Sequence, residues 1–361
     1  MTPLEVDVAR RLQAVMARAC SNIALIKYWG KRDAALNLPA TGSLSLTLEG
    51  LTTATTVAWG PTGAPALAPT GLASREADLA PGSGPTDVIG LDGKPAGGKE
   101  RERIVTFLDQ VRALAGLRGP ALVESVNDFP RAAGLASSAS GFAALALAAT
   151  RAAGLDLSPP ELSALARRGS GSACRSLFGG FVEWLPGTAP DGRDSHAVQI
   201  LPPEAWDVRM LVAVLSEAPK PTGSRDAMNH TVATSPYFPA WRESVPADLA
   251  SAKQAIAARD LAALGELAES NALRMHATML AARPPVLYWL PATIAAMHQV
   301  WELRESGLAC WFTIDAGPNV KVLCAPESEP QVRVALLELP GITRVISARP
   351  GPGAQVVRIE T

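Results

Sequence analysis

The sequence predicts a globular protein that mixes α-helices with β-strands, and three patterns carry this prediction. Residues 47–59 alternate in the way typical of a strand and are rich in Thr, Val and Trp. Residues 100–117 place apolar side chains at helical spacing. Residues 122–153 combine a strand pattern, a segment of small residues and a helix pattern, in that order. With 361 residues and 48% hydrophobic content, the chain can bury the core of one large or two medium domains.

The other elements of the N-terminal half follow in chain order. The segment 42–46, GSLSL, favours a strand immediately before residue 47. Residues 60–100 are rich in Gly, Pro and Ala, and we expect an exposed, mobile excursion there. Within it, 87–94 contains the turn pair Asp-Gly and predicts a short hairpin. Ser158-Pro-Pro-Glu161 predicts the start of a further helix.

A domain boundary is predicted near residue 203. Two prolines within 201–204 precede an apolar strand pattern at 208–215. We therefore divide the chain into an N-terminal domain, 1–203, and a C-terminal domain, 204–361.

The C-terminal domain is predicted to combine helices with a hairpin. Residues 249–279 and 291–304 carry helical patterns and are expected to pack on the C-terminal sheet. Residues 311–323 form two apolar runs broken by Asp-Ala-Gly-Pro-Asn, so Asp315 ends a strand at a tight turn. Because an Asp at a turn is typically a capping residue, its position alone indicates no function.

Composition excludes some classes of function. The 33 Lys and Arg residues almost balance 34 Asp and Glu residues, so no overall field favours nucleic acid or an anionic membrane, and any anion must be bound locally. The four cysteines lack metal-ligand spacing and indicate neither a zinc site nor a disulfide framework. No apolar stretch reaches the roughly 20 residues that span a bilayer, and the first residues do not read as a secretory signal. We expect a cytoplasmic protein.

The small-residue segment at 130–141, PRAAGLASSASG, is the first candidate site. The unpaired N–H groups and positive end of a helix form an anion site where small side chains let a ligand approach. Gly134, Ser137, Ser138 and Ser140 lie where such a site would form. The alternative is that small residues serve only close packing. The segment is neither a Walker loop nor a dinucleotide-binding GxGxxG motif.

Two further segments gather possible anion donors. In 167–184, glycines and serines surround Arg175, whose planar fork suits a carboxylate or phosphate. The alternative is a turn and a strand, with Arg175 paired to a structural acid. In 21–33, Lys27, Tyr28 and Lys31 lie close together with a single acid, and the alternative is a solvated charge cluster.

The last such segment, 216–229, gathers Lys220, Thr222, Ser224 and Arg225 around Pro and Gly residues. Loops of this composition bind anions or simply turn.

Together these stretches resemble one family closely, the mevalonate diphosphate decarboxylases of the GHMP small-molecule kinase superfamily. The resemblance runs from Ala17 to about Val322, in the family's order and at compatible spacings. The segment PRAAGLASSASG is typical of the superfamily, whereas GSGSACRS together with DAGPN distinguishes the decarboxylase branch. The matching motifs are SNIALIKYWGKRD, LNLPATGSLSLTL, PRAAGLASSASG, RRGSGSACRSLFGGFVEW, KPTGSRDAM, TSPYF and FTIDAGPN.

The resemblance implies an α+β protein with the GHMP kinase fold. Domain 1–203 would be the ATP-binding part, similar to the second domain of ribosomal protein S5, and 204–361 would be ferredoxin-like, with the active site between them. The implied reaction converts mevalonate 5-diphosphate and ATP to isopentenyl diphosphate, ADP, phosphate and carbon dioxide. A homodimer is expected, because family members commonly are homodimers.

The resemblance also implies roles for individual residues. Asp315 would act at the 3-hydroxyl of the substrate as general base or orienting carboxylate. Arg175 would hold the substrate carboxylate, with Asn22 positioning the same end. Lys27 would neutralise charge that develops on the transferred phosphate. Ser170 and Ser172 would orient the substrate and that phosphate.

The remaining implied contacts are with phosphate groups. Magnesium is expected with ATP, because phosphoryl transfer normally uses it, but no carboxylate identifies a protein ligand and none is assigned. The ATP phosphates would be cradled by Gly134, Leu135, Ala136, Ser137, Ser138 and Ser140. The 5-diphosphate would be held by Tyr28, Lys31, Arg103, Ser224 and Arg225.

The chain departs from the family pattern at three places. Asp226 and Ala227 precede Met228 where the family commonly has Ser-x-Gly-Met, so an acid follows the diphosphate-binding residues. Arg131 replaces a small polar residue, and the excursion at 60–86 is longer than usual and receives no role.

Three alternatives therefore stay open. They are a mevalonate 5-phosphate decarboxylase, which an inward-facing Asp226 would favour, a mevalonate 3-kinase, and a non-catalytic metabolite sensor. Arg175 together with Asp315 argues against the kinase alone. A nucleic-acid role has no basic stripe to support it.

Overall fold

The computed structural model describes residues 14–60, 86–129, 137–218 and 220–357, as strands, helices and connecting turns. The strands are β1 (Val15–Ile26), β2 (Lys31–Asp33), β3 (Leu38–Pro39), β4 (Ser43–Trp59), β5 (Val88–Leu91), β6 (Lys94–Pro95), β7 (Ala121–Asn127), β8 (Phe181–Trp184), β9 (Ala197–Leu201), β10 (Arg209–Val214), β11 (Cys310–Ile314), β12 (Val320–Cys324), β13 (Arg344–Ala348) and β14 (Gln355–Val357). The α-helices are α1 (Gly98–Ala115), α2 (Ser137–Ala152), α3 (Pro159–Gly169), α4 (Ala173–Ser176), α5 (Ser224–Thr234), α6 (Phe238–Ala258), α7 (Leu261–Leu280), α8 (Pro291–Glu305) and α9 (Glu329–Glu338).

The long strand β4 organises the larger sheet. The main path of this sheet runs β14-β1-β4-β7-β5-β6, and β8 pairs with β4 and β9 off that path. The first residues of β4 pair with β8 and its last residues pair with β7, while β1 follows most of its length. The pairs are antiparallel except for β5 with β7. The hairpin predicted at 87–94 is present, and Asp92 and Gly93 at its turn both have positive φ, as such turns require.

Helix α2 packs against β1 and β4 along the larger sheet. Its many alanines are buried, and small side chains allow a helix to approach a sheet closely. Phe142 of α2 and Phe107 of α1 meet edge to face with ring centroids 5.7 Å apart, which joins the two helices in one apolar cluster.

The second sheet has the order β11-β12-β10-β13 and is antiparallel. Helix α7 contacts both β11 of this sheet and β1 of the larger one. One hydrophobic cluster takes Ile23 and Leu46 from the larger sheet together with Met210 and Val212 from the smaller one. Strand β14, near the C-terminal end, returns to pair with β1. The boundary near residue 203 stays a prediction, and the apolar packing is continuous across it.

Most predicted elements are confirmed. The strands predicted at 42–59, 122–126 and 208–215 correspond to β4, β7 and β10, and the runs at 311–323 form the β11–β12 hairpin. Helix α3 begins after a capping box in which the Ser158 N–H donates to Glu161 at 2.9 Å. Residues 61–85, most of the predicted excursion, lie outside the described residues.

Two features of the helices were not predicted. The pattern at 249–279 forms two helices, α6 and α7, because Arg259 adopts a left-handed conformation with φ 54°. Asp260 then caps α7 by accepting the Ala263 N–H at 3.0 Å. The loop expected around Ser224 becomes the first turn of α5. No helix in the described ranges is both long and apolar enough to cross a membrane.

Candidate active site

A cavity of about 560 Å³ opens where β1, α2, α5 and the β11–β12 turn converge. Every described residue that the sequence predicts for the site lines this cavity, with the exception of Ser140. These residues are Asn22, Lys27, Tyr28, Lys31, Arg103, Ser137, Ser138, Ser170, Ser172, Arg175, Ser224, Arg225 and Asp315. Segments that are far apart in sequence are thus brought to one place.

The segment before α2 is only partly described. Gly134, Leu135 and Ala136, and with them Arg131, lie outside the described residues. Ser137 and Ser138 begin α2 and face the cavity. Ser140 is buried, and its hydroxyl lies 2.6 Å from the hydroxyl of Thr53 on β4. Its predicted contact with ATP stays a prediction.

Asp315 lies directly after β11, and its carboxylate is held by two lysines. Lys27 Nζ donates to Oδ1 at 2.8 Å, and Lys321 Nζ lies 3.4 Å from Oδ2. The Asp315 side chain keeps 27% of its surface exposed, toward the cavity it lines. Burial alone would raise the pKa of Asp315, but the positive charges of Lys27 and Lys321 hold it well below its usual range. The capping alternative is wrong, since this carboxylate forms ion pairs.

Lys27, just after β1, is almost fully buried with 1% exposure. Its ammonium also donates to the carbonyl of Ala24 at 2.8 Å. Its backbone N–H donates to Asn271 Oδ1 on α7 at 2.8 Å, and Asn271 in turn donates to Asp248 at 2.7 Å. Burial lowers the pKa of Lys27 to about 8, although Asp315 opposes the change. At Lys27, the solvated charge cluster considered as an alternative is therefore wrong.

Arg175 on the short helix α4 is buried and oriented by polar neighbours. Its Nε and Nη2 donate to Asn22 Oδ1 at 3.2 and 3.1 Å, and Nη1 donates to the hydroxyl of Ser43. Asn22 is fixed in turn, because its amide donates to Ser176 Oγ at 2.7 Å and to the Ser172 carbonyl at 3.0 Å. Among the described residues no carboxylate forms an ion pair with Arg175, so the structural-acid alternative is wrong. One N–H on each terminal nitrogen remains for a ligand.

A second group of cations, which we call the cationic pole, consists of Lys31 on β2 together with Arg103 and Arg225. Burial, together with the nearby charges of Arg225 and Arg103, lowers the pKa of Lys31 to about 8. The hydroxyl of Tyr28 and the indole N–H of Trp29 are buried here without a hydrogen-bond partner among the described residues. Mutually repelling cations beside unpaired donors are unfavourable in the free protein and favourable around a multivalent anion.

The first turn of α5 adds to this pole. Ser224 and Arg225 follow the N-cap Gly223, so free N–H groups and the helix dipole favour negative charge there. Asp226, the departure from the family pattern, is exposed and does not line the cavity. It therefore leaves the cationic character of the cavity wall intact.

Three further polar residues lie around Asp315; sequence reasoning missed Lys321 and His276 and named Lys220 only as a possible anion donor. Lys321 on β12 is an inward-facing lysine within VKVL, a pattern that indicates only a strand. Lys220 lines the cavity and its Nζ donates to Ser224 Oγ at 3.3 Å, while burial lowers its pKa to about 8. His276 on α7 contacts the main chain of Asp315. Only Lys220 belonged to a segment in which the sequence indicated anion binding.

A smaller cavity of about 350 Å³ adjoins the first and lies between β4, β7, α1 and α2. Ser137, Ser138 and Arg103 line both cavities. Its other walls include apolar side chains such as Leu91 and Phe142. The two cavities thus share part of a wall, and the smaller one adds apolar surface.

Family models match most of the chain. Residues 19–66 and 75–197 match the diphosphomevalonate decarboxylase-like N-terminal domain, and residues 210–350 match the mevalonate 5-diphosphate decarboxylase C-terminal domain. The diphosphomevalonate decarboxylase of Candida albicans is 36% identical over 357 residues, covering 92% of this chain and 95% of the relative.

Solved structures agree with these matches. The mevalonate diphosphate decarboxylase of Staphylococcus aureus superposes with a TM-score of 0.86 at 39% identity, covering 97% of this chain and 99% of that one. MDDEF in complex with MVAPP, AMPPCP and magnesium superposes with a TM-score of 0.85 at 40% identity, covering 97% and 100%. The fold is that of the GHMP kinases, as predicted. Within that class, the chain belongs to the diphosphomevalonate decarboxylase family.

Proposed function

We propose that this protein uses ATP to decarboxylate mevalonate 5-diphosphate, giving isopentenyl diphosphate, ADP, phosphate and carbon dioxide. The observation that carries the proposal is that three groups line one cavity. They are Asp315, which is paired with buried lysines, Arg175, which has free N–H groups, and the cationic pole. A substrate with a diphosphate at one end and a hydroxyl and carboxylate at the other matches these groups in charge.

Each end of the substrate has complementary donors. The 5-diphosphate is held by Lys31, Arg103 and Arg225, with Tyr28 and Ser224 as neutral donors. The carboxylate accepts hydrogen bonds from the two remaining N–H groups of Arg175. Because Asn22 fixes the guanidinium, this fork is oriented before the substrate arrives.

The 3-hydroxyl donates to Asp315. Since the pKa of this carboxyl is held well below its usual range by its lysines despite burial, Asp315 is ionised at neutral pH and able to accept that hydrogen bond. An anionic phosphoryl group that enters beside Lys27 and Lys220 competes for their charge, so the basicity of Asp315 rises when ATP is bound. The hydroxyl oxygen then attacks the γ-phosphorus while its proton passes to Asp315.

ATP occupies both cavities. Its nucleoside end lies in the smaller one, and its phosphates reach the main cavity past Ser137 and Ser138, with residues 134–136 and 140 as further predicted ligands. The described residues hold no group of three or more His, Cys, Asp or Glu side chains for a metal. Magnesium would therefore be held chiefly by the ATP phosphates, with serine hydroxyls as neutral oxygen donors, and would spread the phosphate charge.

Loss of the new 3-phosphate leaves an electron-poor carbon. The electrons of the bond to the carboxylate carbon then form the double bond, and carbon dioxide leaves. Lys27 and Lys220 stabilise the departing phosphate, while Ser170 and Ser172 orient the reacting groups. A homodimer, a cytoplasmic location and the division at residue 203 are retained as predictions.

The test is an assay of purified protein with ATP and magnesium, offered mevalonate 5-diphosphate, mevalonate 5-phosphate and mevalonate in parallel. Isopentenyl diphosphate, ADP and carbon dioxide are measured, and we expect all three from the diphosphate. A preference for the monophosphate would reassign the substrate, and ADP without carbon dioxide would reassign the protein as a 3-kinase. Absence of turnover with all three would favour a sensor.

A further inference from the structure

His276 lies on α7, directly behind the residue proposed to act at the 3-hydroxyl. We propose that His276 is a positioning residue, which holds the main chain of Asp315 and thereby aims its carboxylate at the substrate. The inference rests on the proposed function and goes beyond it, because His276 does not line the cavity.

His276 contacts the main chain of Asp315 directly, and its imidazole ring is held in place by packing. His276 Nε2 lies 3.1 Å from the Asp315 carbonyl oxygen, so a hydrogen on Nε2 is donated to that carbonyl. The residue is only 3% exposed. Its ring lies against Trp289 with centroids 4.8 Å apart and an interplanar angle of 35°, which restricts rotation of the imidazole.

The peptide that His276 holds is the one that orients the carboxylate. The Asp315 carbonyl also accepts the N–H of Gly317 at 2.7 Å, within the turn itself. The next carbonyl, of Ala316, accepts a hydrogen bond from Lys220. On α8, Thr293 also donates to the carbonyl of Pro318 at 2.8 Å, so three side chains hold the turn from outside. Because the carbonyl carbon and the side chain of Asp315 are both bonded to its Cα, a displacement of the Asp315 main chain would move the carboxylate relative to Lys27.

A neutral imidazole suits this place better than a cation. Burial and the charge of Lys27 lower the pKa of His276 to about 3, so the ring is neutral at neutral pH. It donates a hydrogen bond without adding charge beside Lys27, Lys321 and Lys220. A buried Lys or Arg in its place would donate too, but would add to the repulsion among these lysines.

The test compares two substitutions of similar length and flexibility. His276→Gln keeps a side-chain N–H at about the reach of Nε2, whereas His276→Met lacks a donor. A displacement of about 1 Å can cost on the order of 100-fold in rate, so we expect His276→Met to lower kcat by about 30-fold or more. The KM values for both substrates should stay within about threefold, because the contacts that bind them are unchanged, and His276→Gln should recover most of the loss.

His298 on α8 provides a control for loss of an imidazole beside a tryptophan. It is exposed, lies 5.2 Å from the Trp301 ring, and His298→Met should keep wild-type kcat. Wild-type kcat in His276→Met, or equal losses in the Met and Gln variants, would overturn the inference while the proposed function stands. An inactive wild type would overturn both. If His276→Met does not fold, His276→Asn replaces it, since its amide is too short to reach, and equal activity of Asn and Gln variants would overturn the inference.

Discussion

Replacement of Asp315 by Asn tests the centre of the proposed site most directly. The substitution keeps the size of the side chain but removes its charge and its ability to take a proton. Loss of a positioned general base costs about 10²–10⁴-fold. Because Lys27 and Lys321 also lose their counter-charge, we expect a value within this range, about 10³-fold in kcat, which corresponds to about 4 kcal/mol.

Stability should change far less than activity. Removal of one partner of a buried ion pair costs about 3–5 kcal/mol when the other charge stays buried and unpaired. Here Asp315 is partly exposed to the cavity, and the pKa of Lys27 is already lowered to about 8 by burial, so Lys27 releases its proton readily. We therefore expect a loss of only about 1–2 kcal/mol in the free energy of unfolding.

The assay measures ADP and carbon dioxide at saturating substrates, together with the Kd of a non-hydrolysable ATP analogue. The analogue should bind at least as tightly as it binds to wild type, since Asp315 is not among the proposed nucleotide ligands and loss of its charge leaves Lys27 free to face the γ-phosphate. Asp226→Asn is the matched control, because it makes the same change on an exposed neighbour of the site and should keep wild-type kcat. Asp315→Asn with more than about a tenth of wild-type kcat would refute the assigned role.

Three other predictions concern the cationic pole and the core. Arg225→Ala should raise KM for the diphosphate substrate by about 10- to 100-fold and lower kcat by less than about fivefold, because it removes a binding contact rather than a reacting group. Steady-state kinetics measures both constants. A large fall in kcat with an unchanged KM would contradict this prediction. Binding of inorganic pyrophosphate at pH 8.5 should take up protons, because the bound anion raises the pKa of Lys31 from about 8. Calorimetry in buffers of different ionisation enthalpy measures this uptake, which should be smaller in Lys31→Arg. Equal uptake in both proteins would count against the prediction. Phe107→Ala, at a fully buried position, should lower the free energy of unfolding by about 3–5 kcal/mol in denaturant titrations. Leu114→Ala, on the exposed face of the same helix, should change it by less than about 1 kcal/mol. Similar losses in the two variants would contradict the packing described.

The patterns that sequence predicts well are local ones. The strand that ends at Asp315 was predictable because five apolar or β-branched residues precede a turn composition. The first turn of α5 was not, since Ser224 and Asp226 are weak helix formers that also suit loops. The break at Arg259 was missed because the sequence there has neither Gly nor Pro, and a positive φ at an arginine has no reliable sequence signal.

Resemblance to a family supplied the roles that local patterns left open. Arg175 was equally consistent with a structural ion pair, and only the structure shows that its described partners are Asn22 and Ser43 and that no described carboxylate pairs with it. Lys321 and His276 were not predicted as site residues, because their importance depends on contact with Asp315. A Lys on an apolar strand or a His on a helix does not by itself indicate such a contact. Long-range proximity is a property of the fold rather than of any single segment.

Helix α7 holds both members of the central ion pair. Asn271 binds the backbone N–H of Lys27, and His276, five residues later, binds the carbonyl of Asp315. Five residues of an α-helix rise about 7.5 Å, a length that changes little when neighbouring elements shift. Lys27 follows a strand of one sheet and Asp315 follows a strand of the other, yet both are hydrogen-bonded to this one helix. The distance between the two charges is therefore set in part by one helix, and not only by the packing of one sheet against the other.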